Sequence, residues 1–441
     1  MGPSNIVGRA EEIGRFSQAI EDATEGRGSV WFLSGESGIG KSRLAEEVGR
    51  LARERGMRTF WGRCWEAGGA PAYWPWVQVL RAVLRTAEPG QVEPHLAAMS
   101  QILPELPGGD ATPAMEGLRP EQARFRLMDA VSNVLADAAQ RVPIVVVLED
   151  LHVADVATAL LLDFLSGTVR HQPLLLLGTF REAELASAAA GPQLVRTVQQ
   201  SERIALQRLS EDDVASFLRA SGEAADPSFV RALHETSEGH PLFLVEVAQL
   251  WRSQGRAPAS GRPAIPQSVR TVIRERLATV SEECIETLRR GAVVGREFDI
   301  GLLESCYGDA ATRDGDAAQE ATEAALLVEV APQRYRFVHF LIRELVYDEI
   351  PDAERADSHG RLARHLRDRP RDGEPSWPEV AHHLVAAGQC AEATDAYREA
   401  GQQALRQLAF DEAVQAYVAA LRAADKAAQL DSRERAGLLL E

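Results

Sequence analysis

A glycine-rich stretch near the amino terminus carries the residue types that hold the phosphates of a nucleotide. GESGIGKS, which begins at Gly35, fits the pattern G-x-x-x-x-G-K-[ST] without a mismatch. The glycines Gly35, Gly38 and Gly40 let backbone N–H groups crowd a β-phosphate, and the positive end of a following helix adds to the attraction. In such a loop Lys41 reaches the β- and γ-phosphates and Ser42 ligates Mg²⁺. The stretch therefore predicts a site for ATP or ADP with Mg²⁺.

Two apolar runs farther along the chain end in polar side chains. RVPIVVVLED ends in Glu149 and Asp150, and QPLLLLGTFRE carries Thr179 and Arg181 at its end. Apolar residues followed by acids are typical of the strand that brings a carboxylate to the Mg²⁺ of a P-loop enzyme. Because ligands of open α/β sheets bind at the carboxyl ends of strands, we expect these side chains and Gly35 to converge on one crevice.

The elements that would position these residues are buried strands and a helix. SVWFLSG, before the glycine loop, is a short apolar run that predicts a buried strand, and the two apolar runs named above predict two more. KSRLAEEVGRLARERG, after the loop, has Leu44, Val48 and Leu51 at helical spacing and ends at Gly56. A plain glycine turn is the alternative, but strand, loop, Lys-Ser pair and helix together favour a nucleotide site.

A dense aromatic cluster follows the first predicted helix. It comprises Trp61, Trp65, Tyr73, Trp74 and Trp76. Packing of a long loop and a helix onto the sheet is one interpretation, because large aromatic side chains usually serve as buried area. A surface for a ligand or a partner is the other.

Beyond about residue 205 the sequence predicts helices. LSEDDVASFLRASG begins with Ser210 as an N-cap and Asp213 three residues on, a relative of the capping box, and a helix break is predicted at residues 239–241. The stretch from Gly255 to Pro266 is rich in Pro, Gly, Ser and Ala and predicts a linker. Two amphipathic helices and LLVEVAPQRYRFVHF, which predicts a β-hairpin, then indicate a small winged-helix domain.

From about Trp377 the chain is Ala-rich and helical in pattern. Gly401, Ala413, Tyr417 and Ala420 keep the small, small, aromatic, small spacing of a tetratricopeptide unit. The last three steps recur 20 residues earlier rather than about 34, so the array is irregular or only one unit is genuine. An ordinary helical hairpin is the alternative.

The composition narrows the classes of function. With 441 residues the chain has room for roughly three domains of about 150 residues each. Its net charge of −17 repels phosphate backbones and argues against DNA binding by this segment alone. Four widely spaced cysteines, with no signal peptide and no apolar run of about 18 residues, predict a cytoplasmic protein with reduced thiols and no membrane span. Because SRERAGLLLE stops inside a helical pattern, we expect a fragment of a longer protein.

Several stretches follow one another in a recognisable order. They are IVGRAEEIGRF, GRCWEAGGAPAYWPWVQVLR, VVVLEDLHVAD, LLGTFREAEL, EGHPLFLVEV and YRFVHFLIRELVYDEI. Together with the glycine loop, they resemble the STAND class of P-loop ATPases, the signal-transduction ATPases with numerous domains. More narrowly, the chain resembles the AAA-like ATPase core of large LuxR-type bacterial transcription regulators. The likeness covers residues 5–425 and is specific to the class rather than to one regulator.

The resemblance implies roles for individual positions. The residues that would border the adenine are Val7, Gly8 and Arg9. Arg181 would sense the γ-phosphate, and Pro241, in the G-x-P step of a lid, would pack over the base. His339 would lie where a winged-helix histidine touches the β-phosphate of ADP. Arg43, next to Ser42, completes the predicted nucleotide-binding set.

Three departures from the family pattern bear on these roles. Glu149 stands where the class has a metal-ordering Asp, so either Glu149 acts through water or Asp150 takes that role. Val153 replaces a usual Trp. Phe340 follows His339 where many relatives carry Asp, which weakens the case for that contact.

The implied roles also have structural alternatives. Arg181 could be a surface arginine that pairs with Glu182 or Glu184. His339 could be a core histidine between aromatic neighbours, and Pro241 could simply break a helix.

Two classes of function compete for this pattern. In a switch, ADP holds the nucleotide domain, lid and winged helix closed, and a signal at the C-terminal helices releases ADP so that ATP-bound protomers assemble. In an engine, the chain is a turnover AAA-type ATPase that works in a ring. The sensor-like helices and the position of His339 favour the switch, with slow hydrolysis resetting it. A nucleotide-binding scaffold attached to another effector, such as a nucleotide cyclase, is a further alternative.

The predicted architecture is an α/β P-loop NTPase domain, a parallel sheet with flanking helices, followed by helical segments. The predicted domains are the P-loop domain at 1–205, a helical lid at 206–255, a linker at 256–265, a winged-helix domain at 266–352 and a TPR-like sensor at 353–441. The predicted partners are nucleotide, further copies of the chain, and an unknown inducer or protein at the C-terminal helices. DNA would be reached only through an effector domain outside this chain.

Overall fold

The structure, a computed structural model, describes eight stretches of the chain. They are residues 6–65, 69–86, 89–106, 119–222, 226–245, 269–308, 313–368 and 375–427. The sheet unit consists of the described residues of Arg9–Gln207, Ser376–Glu379 and Thr394–Glu441. The helical unit consists of those of Met1–Gly8, Arg208–Pro375 and Val380–Ala393. The predicted domain boundaries stay predictions, and the linker at 256–265 lies outside the described residues.

A five-stranded parallel sheet forms the centre of the sheet unit. Its strands are β1 (Ser29–Ser34), β2 (Arg58–Arg63), β3 (Ile144–Glu149), β4 (Leu174–Phe180) and β5 (Glu202–Ala205), in the order β2-β3-β4-β1-β5. Strands β3 and β4 are buried along their whole length, as expected when helices cover both faces of a parallel sheet. The predicted strands β1, β3 and β4 are confirmed. Strands β2 and β5 were not predicted, because the uncharged run of β2 is only the four residues between Arg58 and Arg63 and β5 begins with Glu202 and Arg203.

Eight helices of the sheet unit precede residue 200. They are α1 (Ala10–Thr24), α2 (Lys41–Glu54), α3 (Trp74–Leu84), α4 (Pro89–Met99), α5 (Pro120–Arg141), α6 (Val156–Thr168), α7 (Glu182–Leu185) and α8 (Gly191–Gln199). The predicted helix after the glycine loop is α2, and its Leu44 and Val48 are buried. Helix α6 begins where the Asp155 side chain accepts a hydrogen bond from the Thr158 N–H at 2.7 Å, a typical N-cap. A short 3-10 turn, Leu151–Val153, lies between β3 and α6.

The aromatic cluster mostly packs into the core of the sheet unit. Tyr73 and Trp76 are fully buried, and Trp61, Trp65 and Trp74 are half-buried. The indole N–H of Trp76 donates to the Thr158 carbonyl at 3.1 Å and so ties α3 to α6. Packing therefore accounts for Tyr73 and Trp76.

The helical unit begins with α9 (Glu211–Ala220) and α10 (Pro227–Ser237). The predicted capping box is confirmed: Ser210 Oγ accepts from the Asp213 N–H at 3.2 Å, and Asp213 Oδ2 accepts from the Ser210 N–H at 3.0 Å. Glu238 and Gly239 adopt φ values of 49° and 71°, and residues 241–245 are helical again. The predicted break in the helices is therefore confirmed.

A small antiparallel sheet lies among the next helices of this unit. The helices are α11 (Val269–Leu277), α12 (Glu282–Val294), α13 (Ile300–Tyr307), α14 (Asp314–Glu323), α15 (Phe340–Asp348) and α16 (Asp352–Asp368). The strands are β6 (Glu297–Asp299), β7 (Leu327–Ala331) and β8 (Arg334–Phe337), in the order β6-β8-β7. Strands β7 and β8 pair antiparallel and form the predicted hairpin. The assignment of these elements to a winged helix stays a prediction.

The described chain closes with three helices, α17 (Trp377–Ala386), α18 (Cys390–Arg406) and α19 (Phe410–Ala427). Within the sheet unit, Ala413, Tyr417 and Ala420 of α19 belong to the same hydrophobic core as the parallel sheet. A Cβ atom at Gly401 would lie 2.7 Å from the Tyr417 ring, so the small residue makes room for that ring. The predicted helical character of this region is confirmed, and its tetratricopeptide identity stays a prediction. None of the described helices combines the length and apolar character needed to cross a membrane.

Candidate nucleotide-binding site

The glycine loop, residues 35–40, joins the end of β1 to the start of α2. Gly40 caps α2 with a φ of 105°, a left-handed conformation that glycine adopts without a steric penalty. Lys41 and Ser42 therefore lie in the first turn of α2, where backbone N–H groups have no partner within the helix. The predicted phosphate-binding residues thus lie at the positive end of a helix dipole.

The Lys41 side chain lies along the glycine loop. Its Nζ donates to the carbonyl of Gly35 at 3.0 Å and to that of Glu36 at 2.9 Å, and the residue is only 7% exposed. Charged phosphate oxygens are stronger acceptors for an ammonium group than amide carbonyls are. The loop therefore holds a buried positive charge at the start of α2, and these residues fit the phosphates of a nucleotide.

Two acids lie at the carboxyl edge of the sheet. Glu149 is the last residue of β3, and Asp150 follows it with a φ of 62°, a conformation that Asp tolerates better than most residues. They are 3% and 7% exposed. The Asp150 N–H donates to Thr179 Oγ1 at 3.1 Å and so links the ends of β3 and β4. Because β4 lies between β3 and β1, the acids, Thr179 and Gly35 all lie at the carboxyl ends of neighbouring strands.

Arg63, the last residue of β2, is a member of this edge that the sequence analysis did not identify. Its Nε donates to Glu149 Oε2 at 3.0 Å, and its Nη2 bonds to the same oxygen. The Glu149 side chain is 4% exposed and that of Arg63 is 23% exposed, so the ion pair is largely shielded from water. The sequence shows this arginine directly after the aromatic run TFWG. Its pairing with Glu149 could be inferred only once β2 was known to lie next to β3.

Arg9 supports the glycine loop from outside. Its Nη2 donates to the Gln207 carbonyl at 2.6 Å and to the Ile39 carbonyl at 3.3 Å, and the residue is 6% exposed. Because Ile39 belongs to the loop, Arg9 fastens the loop to the segment that follows β5. This structural role was not predicted, and the adenine contact of Arg9 stays a prediction.

The other predicted arginines form ion pairs within the sheet unit. Arg181 Nη1 lies 3.0 Å from Glu184 Oε1, which is one of the alternatives that the sequence left open. Glu184 Oε2 in turn lies 3.5 Å from Nε2 of the buried His152. Arg43 is exposed on α2 and pairs with Glu46 at 3.2 Å. The nucleotide contacts of Arg181 and Arg43 stay predictions.

Four predicted site residues, Val7, Gly8, Pro241 and His339, belong to the helical unit. A Cβ atom at Gly8 would lie 2.7 Å from Leu209 Cδ2. His339 is the half-buried N-cap of α15, and its Nδ1 accepts a hydrogen bond from the Leu341 N–H at 3.2 Å. A neutral ring in that arrangement carries its proton on Nε2, which is then a donor. The roles of these residues toward a nucleotide stay predictions, and the Phe340 side chain is outside the described part.

The acids of this edge also affect a neighbouring thiol. Burial, together with the charges of Asp155, Asp150 and Glu149, raises the pKa of Cys64 well above its ordinary value. Cys64 follows Arg63 and donates its backbone N–H to the Glu149 carbonyl at 3.0 Å. Because the thiolate is the nucleophilic form, Cys64 is an inert part of the core.

The amino-terminal part of the chain matches a known family. The family described as AAA ATPase domain matches residues 5–177, which contain the glycine loop, both acids and Arg63. The sheet unit therefore contains a nucleotide-binding P-loop ATPase domain of the AAA type.

Similar proteins extend over nearly the whole chain. An uncharacterized protein of Rhizobium meliloti (strain 1021) is 26% identical over 467 residues, which cover 98% of this chain and 44% of that protein. A Signal Transduction ATPase with Numerous Domains (STAND) protein with a tetratricopeptide repeat sensor, from Pyrococcus horikoshii, matches with a TM-score of 0.55 and 13% identity, over 99% of this chain and 61% of that one. The ORC2 protein of Aeropyrum pernix matches with a TM-score of 0.39 and 14% identity, over 78% and 94% of the two chains.

Two of these matches cover nearly all of this chain but only part of the similar protein. The chain spans less than half the length of the curated relative and less than two thirds of the STAND protein. The likeness to the STAND protein nevertheless runs along the whole chain, and it shows a shared fold.

Proposed function

We propose that this chain is the ATP/ADP-dependent core of a signalling switch with slow ATP hydrolysis. The observation that carries the proposal is the buried Lys41 ammonium on a glycine loop at the start of α2, beside the sheet edge that bears Glu149 and Asp150. Phosphoryl transfer to water needs such a phosphate-binding loop and such carboxylates. The fold shared with a STAND protein over 99% of the chain supports a switch rather than an engine.

The proposed catalytic roles come from the P-loop pattern, and the positions of the side chains support them. Lys41 exchanges its two carbonyl acceptors for β- and γ-phosphate oxygens, which gain more from its charge. Ser42 and Glu149 are assigned to Mg²⁺, which when bound would neutralise the charge of the phosphates. Asp150 is assigned to orient and polarise the attacking water. The reverse assignment of the two acids is an outcome of the test described in the Discussion.

The remaining parts of the switch are proposed from the family resemblance. Val7, Gly8 and Arg9 border the adenine, and Pro241 belongs to a lid. The elements β6–β8 with their helices form a winged-helix domain that carries His339 toward the β-phosphate of ADP, while Arg181 senses the γ-phosphate of ATP. Helices α17–α19 begin a tetratricopeptide-like sensor for an inducer. The chain would serve a LuxR-type transcription regulator in the cytoplasm, which assembles with ATP and reaches DNA through another domain.

The nucleotide content of the purified protein tests the switch. A switch held closed by ADP should carry about one ADP per chain through purification, because tightly bound ligands survive dilution. The protein is denatured, the released nucleotide is separated by anion exchange, and the assembly state is measured with ADP and with ATP. Little bound ADP, together with steady turnover on the order of 10 s⁻¹, would support the ring engine instead.

The chain offers a matched control for the phosphate site. Lys41 and Lys426 are its lysines, and Lys426 is exposed on α19. ATP should protect Lys41 but not Lys426 from an amine-reactive probe. Lys41→Ala should lower ATP affinity at least tenfold, about 1.4 kcal/mol, whereas Lys426→Ala should leave it unchanged. Equal ATP binding by the two variants would mean that the glycine loop is not the site.

A further inference from the structure

The carboxylate of Glu412, on α19, lies at the beginning of α6. Its Oε1 accepts hydrogen bonds from the N–H groups of Val156 at 2.7 Å and Ala157 at 3.3 Å. These are the first two residues of α6, whose N–H groups have no partner within the helix. Asp155 satisfies the N–H of Thr158, as described above. A residue 256 positions away in the sequence therefore completes the cap that Asp155 begins.

The surroundings of Glu412 combine a second acid with buried polar groups. Asp155, in the loop before α6, also accepts a hydrogen bond from the Tyr73 N–H at 3.3 Å. Among the described residues, Tyr73 Oη and Glu412 Oε2 are buried without a hydrogen-bond partner. Arg124 on α5 acts electrostatically on Tyr73, and its guanidinium lies 5.8 Å from the centre of the Phe410 ring. Two carboxyl groups therefore lie close to each other where Glu412 Oε2 and Tyr73 Oη are shielded from water.

This environment makes the docking of α19 depend on a proton. Burial and the charge of Asp155 raise the pKa of Glu412 from 4.5 to about 7, although its bonds to the N–H groups of α6 oppose the shift. The docked carboxyl group therefore binds a proton more tightly than it would in water. By linkage, docking is strongest when Glu412 is protonated, and it weakens as the pH rises from about 4.5 through about 7.

A short hydrogen-bonded turn joins the start of α6 to the sheet edge that bears Glu149 and Asp150. The Val153 N–H donates to the Asp150 carbonyl at 3.0 Å, and the Ala154 N–H donates to the Leu151 carbonyl at 3.1 Å. Leu151 is fully buried, and the Asp150 N–H is bonded to Thr179. We therefore expect a displacement at the start of α6 to reach Asp150 through the five intervening residues, two of which are tied by these turn hydrogen bonds.

We propose that Glu412 is a positioning residue for ATP hydrolysis, because its carboxyl group completes the cap of α6 and thereby fixes the segment that carries Asp150. The proposal rests on the hydrolytic part of the proposed function and not on its ADP-held switch. Helix α19 would thereby influence ATP hydrolysis, although no sequence motif links it to Asp150.

Two variants of Glu412 and one control distinguish the effect of its hydrogen-bond acceptor from the effect of its charge. Glu412→Gln keeps an oxygen acceptor of the same reach but has no proton to lose, and Glu412→Ala removes the acceptor. Asp395→Asn, at an exposed position of α18, is the control for loss of one acidic charge. In single-turnover hydrolysis with saturating protein in excess over ATP, Glu412→Ala should slow the rate constant about three- to tenfold, the effect of a lost helix cap, while ATP affinity changes less than about twofold. Glu412→Gln and Asp395→Asn should keep the wild-type rate at pH 6.

The pH dependence of the hydrolysis rate constant distinguishes a positioning role from a merely structural one, because a structural role would leave it unchanged. Between about pH 6 and pH 8.5, the wild-type rate constant should fall through a step near pH 7. The Glu412→Gln variant should lack that step, and Asp395→Asn should retain it. A step of the same size in Glu412→Gln overturns the proposal. If Glu412→Ala does not fold, the comparison of wild type with Glu412→Gln decides the question.

Hydrogen exchange distinguishes failure of this proposal from failure of the proposed function. The amides of Val156 and Ala157 and those of α19 should exchange faster in Glu412→Ala than in wild type, after correction for intrinsic rates. This measurement needs no ATPase activity, so a chain that does not hydrolyse ATP still reports whether Glu412 caps α6. Unchanged protection of Val156 and Ala157, or faster exchange with a wild-type hydrolysis rate, would show that Glu412 does not position the site.

Discussion

Replacing Arg63 by alanine would remove the guanidinium group that holds the Glu149 carboxylate. Removal of one partner of a buried ion pair costs about 3–5 kcal/mol, since the other charge loses its compensation. Arg63 is 23% exposed, so water can partly replace it, and we expect the free energy of unfolding to fall by about 2–3 kcal/mol. One kcal/mol shifts the midpoint of a unit of this size by about 2–4 °C, which gives a decrease of roughly 5–10 °C.

Thermal unfolding followed by tryptophan fluorescence measures this effect, and strand β2 supplies the control. Arg58, at the other end of β2, is exposed, so Arg58→Ala should change stability by no more than about 0.5 kcal/mol. Adding Glu149→Gln to Arg63→Ala removes the uncompensated charge and should restore part of the stability. The coupling energy of this double-mutant cycle should be at least about 1.5 kcal/mol.

The result that would refute this reasoning is a midpoint for Arg63→Ala within about 2 °C of wild type. A double variant that is no more stable than Arg63→Ala would also refute it, because the loss would then come from Arg63 packing and not from the Glu149 charge.

Three further predictions concern the acids and the histidines. Asp150→Asn should keep ATP bound while hydrolysis falls by about 10²–10⁴-fold, and Glu149→Gln should weaken the Mg²⁺ dependence of ATP binding, with the opposite pattern exchanging the two roles. His339→Ala should lower the affinity for ADP, measured by calorimetry, about ten- to a hundredfold, with little change in the affinity for ATP. If the variant instead melts at a lower temperature and keeps the wild-type ratio of ADP to ATP affinity, the role of His339 is structural. His359 and His383, whose Nδ1 atoms lie 2.7 Å apart, have pKa values lowered to about 4 and about 2, chiefly by burial. The folded form therefore binds fewer protons, so the melting temperature should fall as the pH drops below about 6.5. The loss due to His359 is complete below about 4 and that due to His383 only near about 2, and His383→Gln should flatten that profile.

Local patterns determined much of this protein. The glycine loop, the apolar runs of β3 and β4, the capping box at Ser210 and the hairpin of β7 and β8 were all predicted within a few residues of their positions. The loop, the cap and the hairpin depend on turn geometry and helix-end bonding between residues close in sequence, whereas β3 and β4 were recognised as continuous apolar runs.

The partners of the charged residues were decided only by the tertiary structure. Arg63 meets Glu149 across 86 residues, Arg9 meets Gln207 across 198, and Glu412 meets Val156 across 256. The first pair exists because β2, an unpredicted strand, lies next to β3, and strand order is set by how helices cover the sheet. A buried charge or helix end must find some partner, but the sequence around it does not specify which one. Packing brings distant segments together, and only then do desolvation and hydrogen bonding select the pairs that persist.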